Sequence, residues 1–271
     1  MWKIIFPLFL FSVSCSENKT SFKKKGIVSL SPSLTEIVFA LGKGDSVNCV
    51  TTYDNFPEDV KKIPKVGGFL DANIERILQC NPKLVLITEM HLDLKKKLKE
   101  IGIPYLELRT RSVSEIRQSI VKLSEKLVVS DKGHAIIKEM DRQLKIKSCM
   151  DNIRKKVLVT LGRSAPTLKN VVGAGRGTYL DELIVMAGGK NVLEGKVFSY
   201  PSLGAESLVA LAPDIIIDIV PSGGHKKDWD SIPFLKTPRI FIVNDSHMYS
   251  PGVRIVESLK LMRKIICGSD N

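Results

Sequence analysis

The sequence predicts an α/β protein of two lobes, each built on a parallel-type sheet, joined by a single long helix. Short apolar runs alternate with stretches of helical spacing at both ends of the chain, which is the pattern of a parallel sheet covered on both faces. Between Val113 and Met150 that alternation stops: no proline occurs there, and Ile116, Ile120, Leu123, Leu127, Ile136, Ile137 and Met140 recur at helical intervals. A third observation is a repeated plan. "NIERILQCNPKLVLI" (73–87) returns 131 positions later as "GAESLVALAPDIIID" (204–218), with Glu75 on Glu206, Pro82 on Pro213 and apolar triplets in register. Matched turn residues and apolar blocks are what a duplicated supersecondary unit keeps, so the two lobes are expected to be alike.

Each element follows in order. "GIVSLSP" reads as a strand ended by Pro32, and "SLTEIVFALG" as a helix with Leu34, Ile37, Val38 and Leu41 on one face and Gly42 as its stop. "SVNCVT" (46–51), "KLVLIT" (83–88) and "IPYLEL" (103–108) are further strands, separated by helices from Ile74 and near 92–101. The 113–150 stretch is expected to form one helix, bent if anywhere at Gly133. "KKVLVTLG" (155–162), "DIIIDIV" (214–220) and "RIFIV" (239–243) restart the strands, and an amphipathic helix over 252–266 closes the chain. The expected domains are an N-terminal lobe 26–110, a connecting helix 111–152 and a C-terminal lobe 153–271.

The first 25 residues lie outside this scheme. Lys3 precedes "IIFPLFLFSV", an apolar run of about ten residues, too short to span a bilayer but suited to a signal peptide. It ends at Ser14-Cys15, which resembles the lipobox of bacterial lipoproteins, although Ser12 stands where Leu is usual. The expectation is a signal peptide over 1–14, lipidation at Cys15 and a polar tether over 15–25; an ordinary secretory signal is the alternative. The net charge of +12 is spread over scattered lysine runs without interleaved aromatics, which argues for a solvated basic surface and against nucleic acid. Cys49, Cys80, Cys149 and Cys267 show no C-x-x-C spacing, so neither a zinc knuckle nor a thioredoxin motif is supported; disulfides and buried thiols both remain open.

"IVSLSPSLTEIVFALGKGDSV" and "TTYDNFPEDVKKIPKVGGFLDANIERILQCNPKLVLI", then "GRGTYLDELIVMAGGKNVL", "YPSLGAESLVALAPDIII", "WDSIPFLK" and "SPGVRIVESLKLM", resemble the helical-backbone substrate-binding proteins of ABC importers. That group includes periplasmic cobalamin-binding proteins and haem- and siderophore-binding proteins, and the likeness runs from Gly26 to about Ile266. It implies two Rossmann-like lobes with a ligand cleft between them, an extracytoplasmic location, and a monomer that touches the membrane only through a lipid anchor. It also implies docking onto a permease dimer, with its ATPase, through one exposed acidic residue per lobe: Glu75 and Glu206. A two-fold partner suits a pseudo-two-fold protein, and opposite charges steer the encounter.

Ligands of open α/β lobes sit beyond the carboxyl ends of the strands. Ser31, Pro32, Tyr53, Phe69, His225 and Trp229 are expected there, with Tyr200 as a further aromatic of the second lobe. Tyr53 and Phe69 stand where the resemblance implies rings stacked on a flat macrocycle, and Lys226, Lys227, Arg163 and Arg176 are candidate partners for ligand carboxylates or phosphate. The branch most resembled implies cobalamin as the ligand, with haem or a ferric siderophore as the alternative; no resident cofactor or metal is expected. The four histidines, at 91, 134, 225 and 247, are too dispersed for a multi-histidine metal site. No catalytic set converges: "LGRSAP" lacks the second glycine of a nucleophile elbow, and "GAGRGTYLDEL" has G-x-G-x-G rather than dinucleotide spacing.

Overall fold

The computed structural model describes residues 24–146, 154–163, 168, 171–195, 198–221, 223–232 and 238–268. The expected signal peptide, Cys15 and Cys149 lie outside them. The N-terminal lobe runs β1 (Gly26–Ser29), α1 (Pro32–Ala40), β2 (Val47–Cys49), α2 (Ile74–Gln79), β3 (Pro82–Ile87), α3 (Leu92–Glu100) and β4 (Tyr105–Glu107). Two helices follow, α4 (Val113–Lys126) and α5 (Ser130–Leu144). The C-terminal lobe runs β5 (Lys156–Thr160), β6 (Val171–Val172), α6 (Tyr179–Met186), β7 (Lys190–Asn191), β8 (Ser202–Leu203), α7 (Ala205–Leu211), β9 (Ile215–Ile219), β10 (Arg239–Val243) and α8 (Ile255–Cys267).

All ladders of the two main sheets are parallel. Their orders, β2-β1-β3-β4 and β7-β5-β9-β10, correspond strand for strand. The duplicated plan is therefore a duplicated topology, and its turn is duplicated too: Asn81 and Ala212, in register, both adopt left-handed backbone, at φ 49° and 43°. Asparagine enters that region readily and alanine does not, so the shared helix-to-strand turn is imposed on Ala212 by its surroundings.

Strand alternation sorts the core. Val28, Val85 and Ile87 pack with Ile77 and Leu98 on one face of the first sheet, while Leu158 and Ile216 pack with Leu208 and Trp229 on one face of the second. The opposite faces belong to one continuous cluster shared by both lobes, from Ile27, Leu34 and Leu86 through Ile116 and Ile120 to Val159, Ile217 and Met262. A disulfide links Cys49, at the end of β2, to Cys80, which caps α2. Cys267 is disulfide-bonded as well.

The expectation of one connecting helix is corrected. The chain turns back at Leu127–Val129, with Val128 exposed at φ 56°, and α5 packs antiparallel on α4, where Arg117 Nη2 meets Asp141 Oδ1 at 2.5 Å. A single helix over 113–144 would reach about 48 Å at 1.5 Å per residue and carry Met140 and Leu144 away from the core. Folding back buries both. Gly133 is the close-approach point rather than a kink: a Cβ there would lie 2.3 Å from Ser124 Oγ.

Candidate functional site

The lobes meet through loops at the carboxyl ends of their strands. Glu36, in α1, forms a buried two-bond pair with Arg254, through Nε to Oε2 (2.8 Å) and Nη2 to Oε1 (2.5 Å). Ser250 Oγ donates to Glu36 Oε1 at 3.0 Å, and the Arg254 guanidinium lies 3.9 Å over the Phe56 ring. Gly252 packs close to the first lobe: a Cβ there would come 3.1 Å from the Ser33 carbonyl oxygen, tighter than an ordinary contact. At a second point of contact Tyr179 N–H donates to the Arg111 carbonyl (2.5 Å) and Val113 N–H to Glu182 Oε2 (2.9 Å). Arg111 follows β4 and Tyr179 opens α6, so these bonds also join the two lobes.

The residues predicted to meet a ligand are placed as follows. Tyr53 is 62% exposed and lies against Gly68, where a Cβ would come 3.3 Å from the ring. Tyr200, 42% exposed, rises from the facing lobe next to exposed Phe198. Its phenol pKa is raised, first by burial, with Arg111 pulling it down and Glu89 pushing it up, which places Tyr200 within electrostatic reach of two first-lobe groups. Phe69 is half-buried and meets the His91 ring edge-on, with centroids 4.9 Å apart. Ser31 is buried; its hydroxyl bonds Ser33 Oγ at 2.8 Å, at the mouth of α1, where Pro32 is the first helical residue. These two shape the helix start more than they offer groups to a ligand.

Two expectations for the second lobe are corrected. Trp229 is 2% exposed, and its indole N–H donates to Asp218 Oδ2 (2.9 Å), so it anchors its own loop and presents no face to the cleft. Arg163 is buried as well, paired with Asp218 (2.8 Å) and Asp228 (2.7 Å), and is committed to holding that loop to β9. Thr160 Oγ1 completes the cluster on Asp218 Oδ1. His225, Lys226, Lys227 and Arg176 are exposed.

The structure adds residues that sequence reading missed. Met90 and Leu70 are exposed apolar groups near the first-lobe aromatics, and Glu89, His91 and Arg111 sit just past β3 and β4. Thr88 N–H donates to His91 Nδ1 (3.1 Å), so the neutral ring carries its proton on Nε2; burial lowers its pKa. The positional rule that picked Tyr53 would have picked 88–91 and 109–111 had it been applied past every strand. Among the described residues no group of three or more His, Cys, Asp or Glu could hold a metal ion. A hollow of about 390 Å³ between β10 and α8 lies at a sheet edge, away from both lobe contacts, and carries no part of this site.

Glu75 and Glu206 are exposed in the first turns of α2 and α7, the equivalent helices of the two lobes. Asn73 caps α2 by accepting from Arg76 N–H, whereas Gly204 precedes α7 without a side-chain cap.

Two α/β lobes of matching topology, joined by contacts past the carboxyl ends of their strands, define a protein of two-lobed architecture. The chain belongs to the periplasmic binding protein family, whose model matches residues 27–226. It is 29% identical to the uncharacterized ABC transporter substrate-binding lipoprotein YvrC of Bacillus subtilis, over 97% of this chain and 86% of that one. It is 23% identical to a vitamin B12-binding protein of Vibrio parahaemolyticus, over 93% and 92%. The fold matches the periplasmic heme-binding protein RhuT from Roseiflexus sp. RS-1 with a TM-score of 0.78 at 24% identity, covering 90% of this chain and 98% of that one. These are binding proteins for transport, not enzymes.

Proposed function

We propose that this extracytoplasmic substrate-binding protein of an ABC importer captures a corrinoid of the cobalamin type between its lobes and delivers it to a permease dimer, with Cys15 carrying a lipid anchor. The observation that carries the reading is the pair of exposed rings, Tyr53 just past β2 in the first lobe and Tyr200 just before β8 in the second, the latter within electrostatic reach of Arg111 and Glu89 of the first lobe. A corrin is broad, flat at its centre and edged with amides, and aromatic rims above and below such a body supply apolar burial and stacking. The vitamin B12-binding relative supports the same ligand class. Haem is the second reading, favoured by His225, whose exposed imidazole on the second-lobe rim suits an iron centre, and by the likeness to a heme-binding fold. A ferric siderophore is the third member of the class.

Calorimetry tests the assignment. Cobalamin is expected to bind at submicromolar strength, and Tyr53→Ala or Tyr200→Ala to weaken it by about ten- to a hundredfold, the loss of one stacked ring. No heat with cobalamin, together with a shifted Soret band on adding haem that disappears in His225→Ala, would replace the first reading with the second.

A further inference from the structure

The two lobes correspond strand for strand, yet the outer strands β4 and β10, which hold matching places in the two sheets, are finished differently. β4 carries Glu107, paired with Lys95 at 2.5 Å, and the hollow between β4 and α4 is lined by charged groups, among them Glu107, Arg109, Glu115 and Lys122. Charges of this kind keep an open strand from pairing with another chain. β10 reads Arg-Ile-Phe-Ile-Val, with Ile240, Phe241 and Ile242 half-buried, and the hollow between it and α8 is floored by Phe241, Leu261 and Ile265. On its inner side Arg239 N–H donates to the Asp214 carbonyl (2.9 Å) and the Val243 carbonyl accepts from Val220 N–H (2.9 Å). Backbone groups alternate in direction along a strand, so those of Ile240 and Ile242 face outward, where no strand follows among the described residues. Charge is divided along this edge. Exposed Arg239 opens β10 beside the end of α8, where a Cβ on Gly268 would come 3.9 Å from its Nη1. Exposed Asp245 stands two residues past the strand, still in extended backbone. The Arg239 guanidinium lies 5.2 Å over the Phe241 ring, and neither Arg239 nor Asp245 makes an ion pair among the described residues.

We infer that β10 pairs antiparallel with β10 of a second copy of this chain, about a two-fold axis at Ile242, joining two four-stranded sheets into one. In an antiparallel ladder outward-facing groups must meet outward-facing groups, so the axis falls on a residue and not between two. Placed on Ile240 it sets Arg239 against the partner's Phe241; placed on Phe241, against the partner's Val243; placed on Ile242, against the partner's Asp245. Of these, the register on Ile242 turns both charges into cross-strand ion pairs, one at each end of the ladder. Ile242 then forms a hydrogen-bonded pair with itself, and Ile240 with the partner's Asn244, which uses the outward groups of both. Arg239 and Asp245 fall in non-hydrogen-bonded pairs, where side chains approach most closely. Phe241 meets the partner's Val243 on the α8 side, so the apolar hollows of the two copies adjoin. An isologous contact of this kind closes at two copies and does not grow into a filament. The pairing is independent of the ligand and departs from the monomer that the resemblance implies.

The test is cysteine cross-linking in membranes from cells making the full chain, read on non-reducing gels as conversion of the monomer band to one of twice its mass. Ile242→Cys should cross-link on mild oxidation, since a hydrogen-bonded antiparallel pair holds its Cα atoms about 5.5 Å apart, within disulfide reach. Ile240→Cys should not, because its counterpart lies four residues along the ladder, about 13 Å away. In the Ile242→Cys background, Arg239→Asp or Asp245→Arg should each cut the cross-linked fraction about tenfold, because by symmetry each replaces two attractive pairs with two repulsive ones. The two reversals together should restore it. Wild-type abundance and an unchanged trypsin digestion pattern confirm that each variant is folded. No cross-link at position 242, equal cross-linking at 240 and 242, a cross-link at 242 that ignores the single reversals, or failure of the exchanged pair to restore it would each overturn the proposal.

Discussion

Burial keeps the His91 imidazole neutral, and the ring in turn backs Phe69 at the cleft wall. A histidine whose folded pKa lies below its unfolded value binds its proton more readily in the unfolded chain. Its contribution to stability is therefore complete above pH 6.5 or so, and is lost as the pH falls below that value. Urea titrations between pH 7.5 and 5 should show unfolding free energy dropping by up to about 1.4 kcal/mol per pH unit, with the shallower slope in His91→Leu; equal slopes would place the pH dependence elsewhere. Tyr53 is picked out in the sequence by its place past β2, whereas Tyr200 is only a further aromatic of the second lobe, two residues before β8. Trp229 and Arg163 follow strand ends as well and yet are buried. What decides them is Asp218 near the end of β9, a carboxylate buried among Thr160, Arg163 and Trp229, and partners drawn from 58, 55 and 11 positions away leave no local trace in the sequence.

At the level of elements, α2 and α7 repeat one another in position, in their first-turn glutamate and in the left-handed residue that ends them. Short helices with a lone acidic group at an outer corner are suited to steering a docking encounter, since an exposed charge alters association more than affinity. Reversing both, Glu75→Lys with Glu206→Lys, should abolish uptake in cells carrying the cognate permease and leave ligand affinity in solution unchanged; full transport by the double variant would rule out this docking role. Apolar periodicity found nearly every helix and the longer strands. It failed at Val128 because the spacing continues across the turn: both α4 and α5 face the same shared core, so the periodic signal carries no mark of the reversal. The short strands β6, β7 and β8 are two residues each, below what alternation can register.

For the whole molecule, the helical hairpin and the Glu36–Arg254 pair act on the same degree of freedom. α4 packs on α1 of the first lobe, and α5 on α8 of the second, while the buried pair ties the lobes on the cleft side. Closure on ligand should be small, and scattering curves with and without ligand should superpose. Arg254→Met leaves Glu36 buried without its partner, which costs about 3–5 kcal/mol, and should both lower the denaturation midpoint and expand the ligand-free protein. Expansion of the wild-type protein on ligand removal would instead show that the lobes already move freely.

The Cys49–Cys80 bond has a mechanical meaning beyond holding the first lobe together. β2 ends at Cys49 and the chain reaches Tyr53 four residues later, while Cys80 closes the short helix that begins with Glu75 in its first turn. The ring and the charge proposed to meet ligand and permease are thus fastened to one covalent strut across the lobe. A push at either end is transmitted as a rigid displacement rather than absorbed by sliding of strand against helix. The strut persists only in an oxidising compartment, so the compartment in which the protein works also sets the stiffness with which its two working ends are coupled.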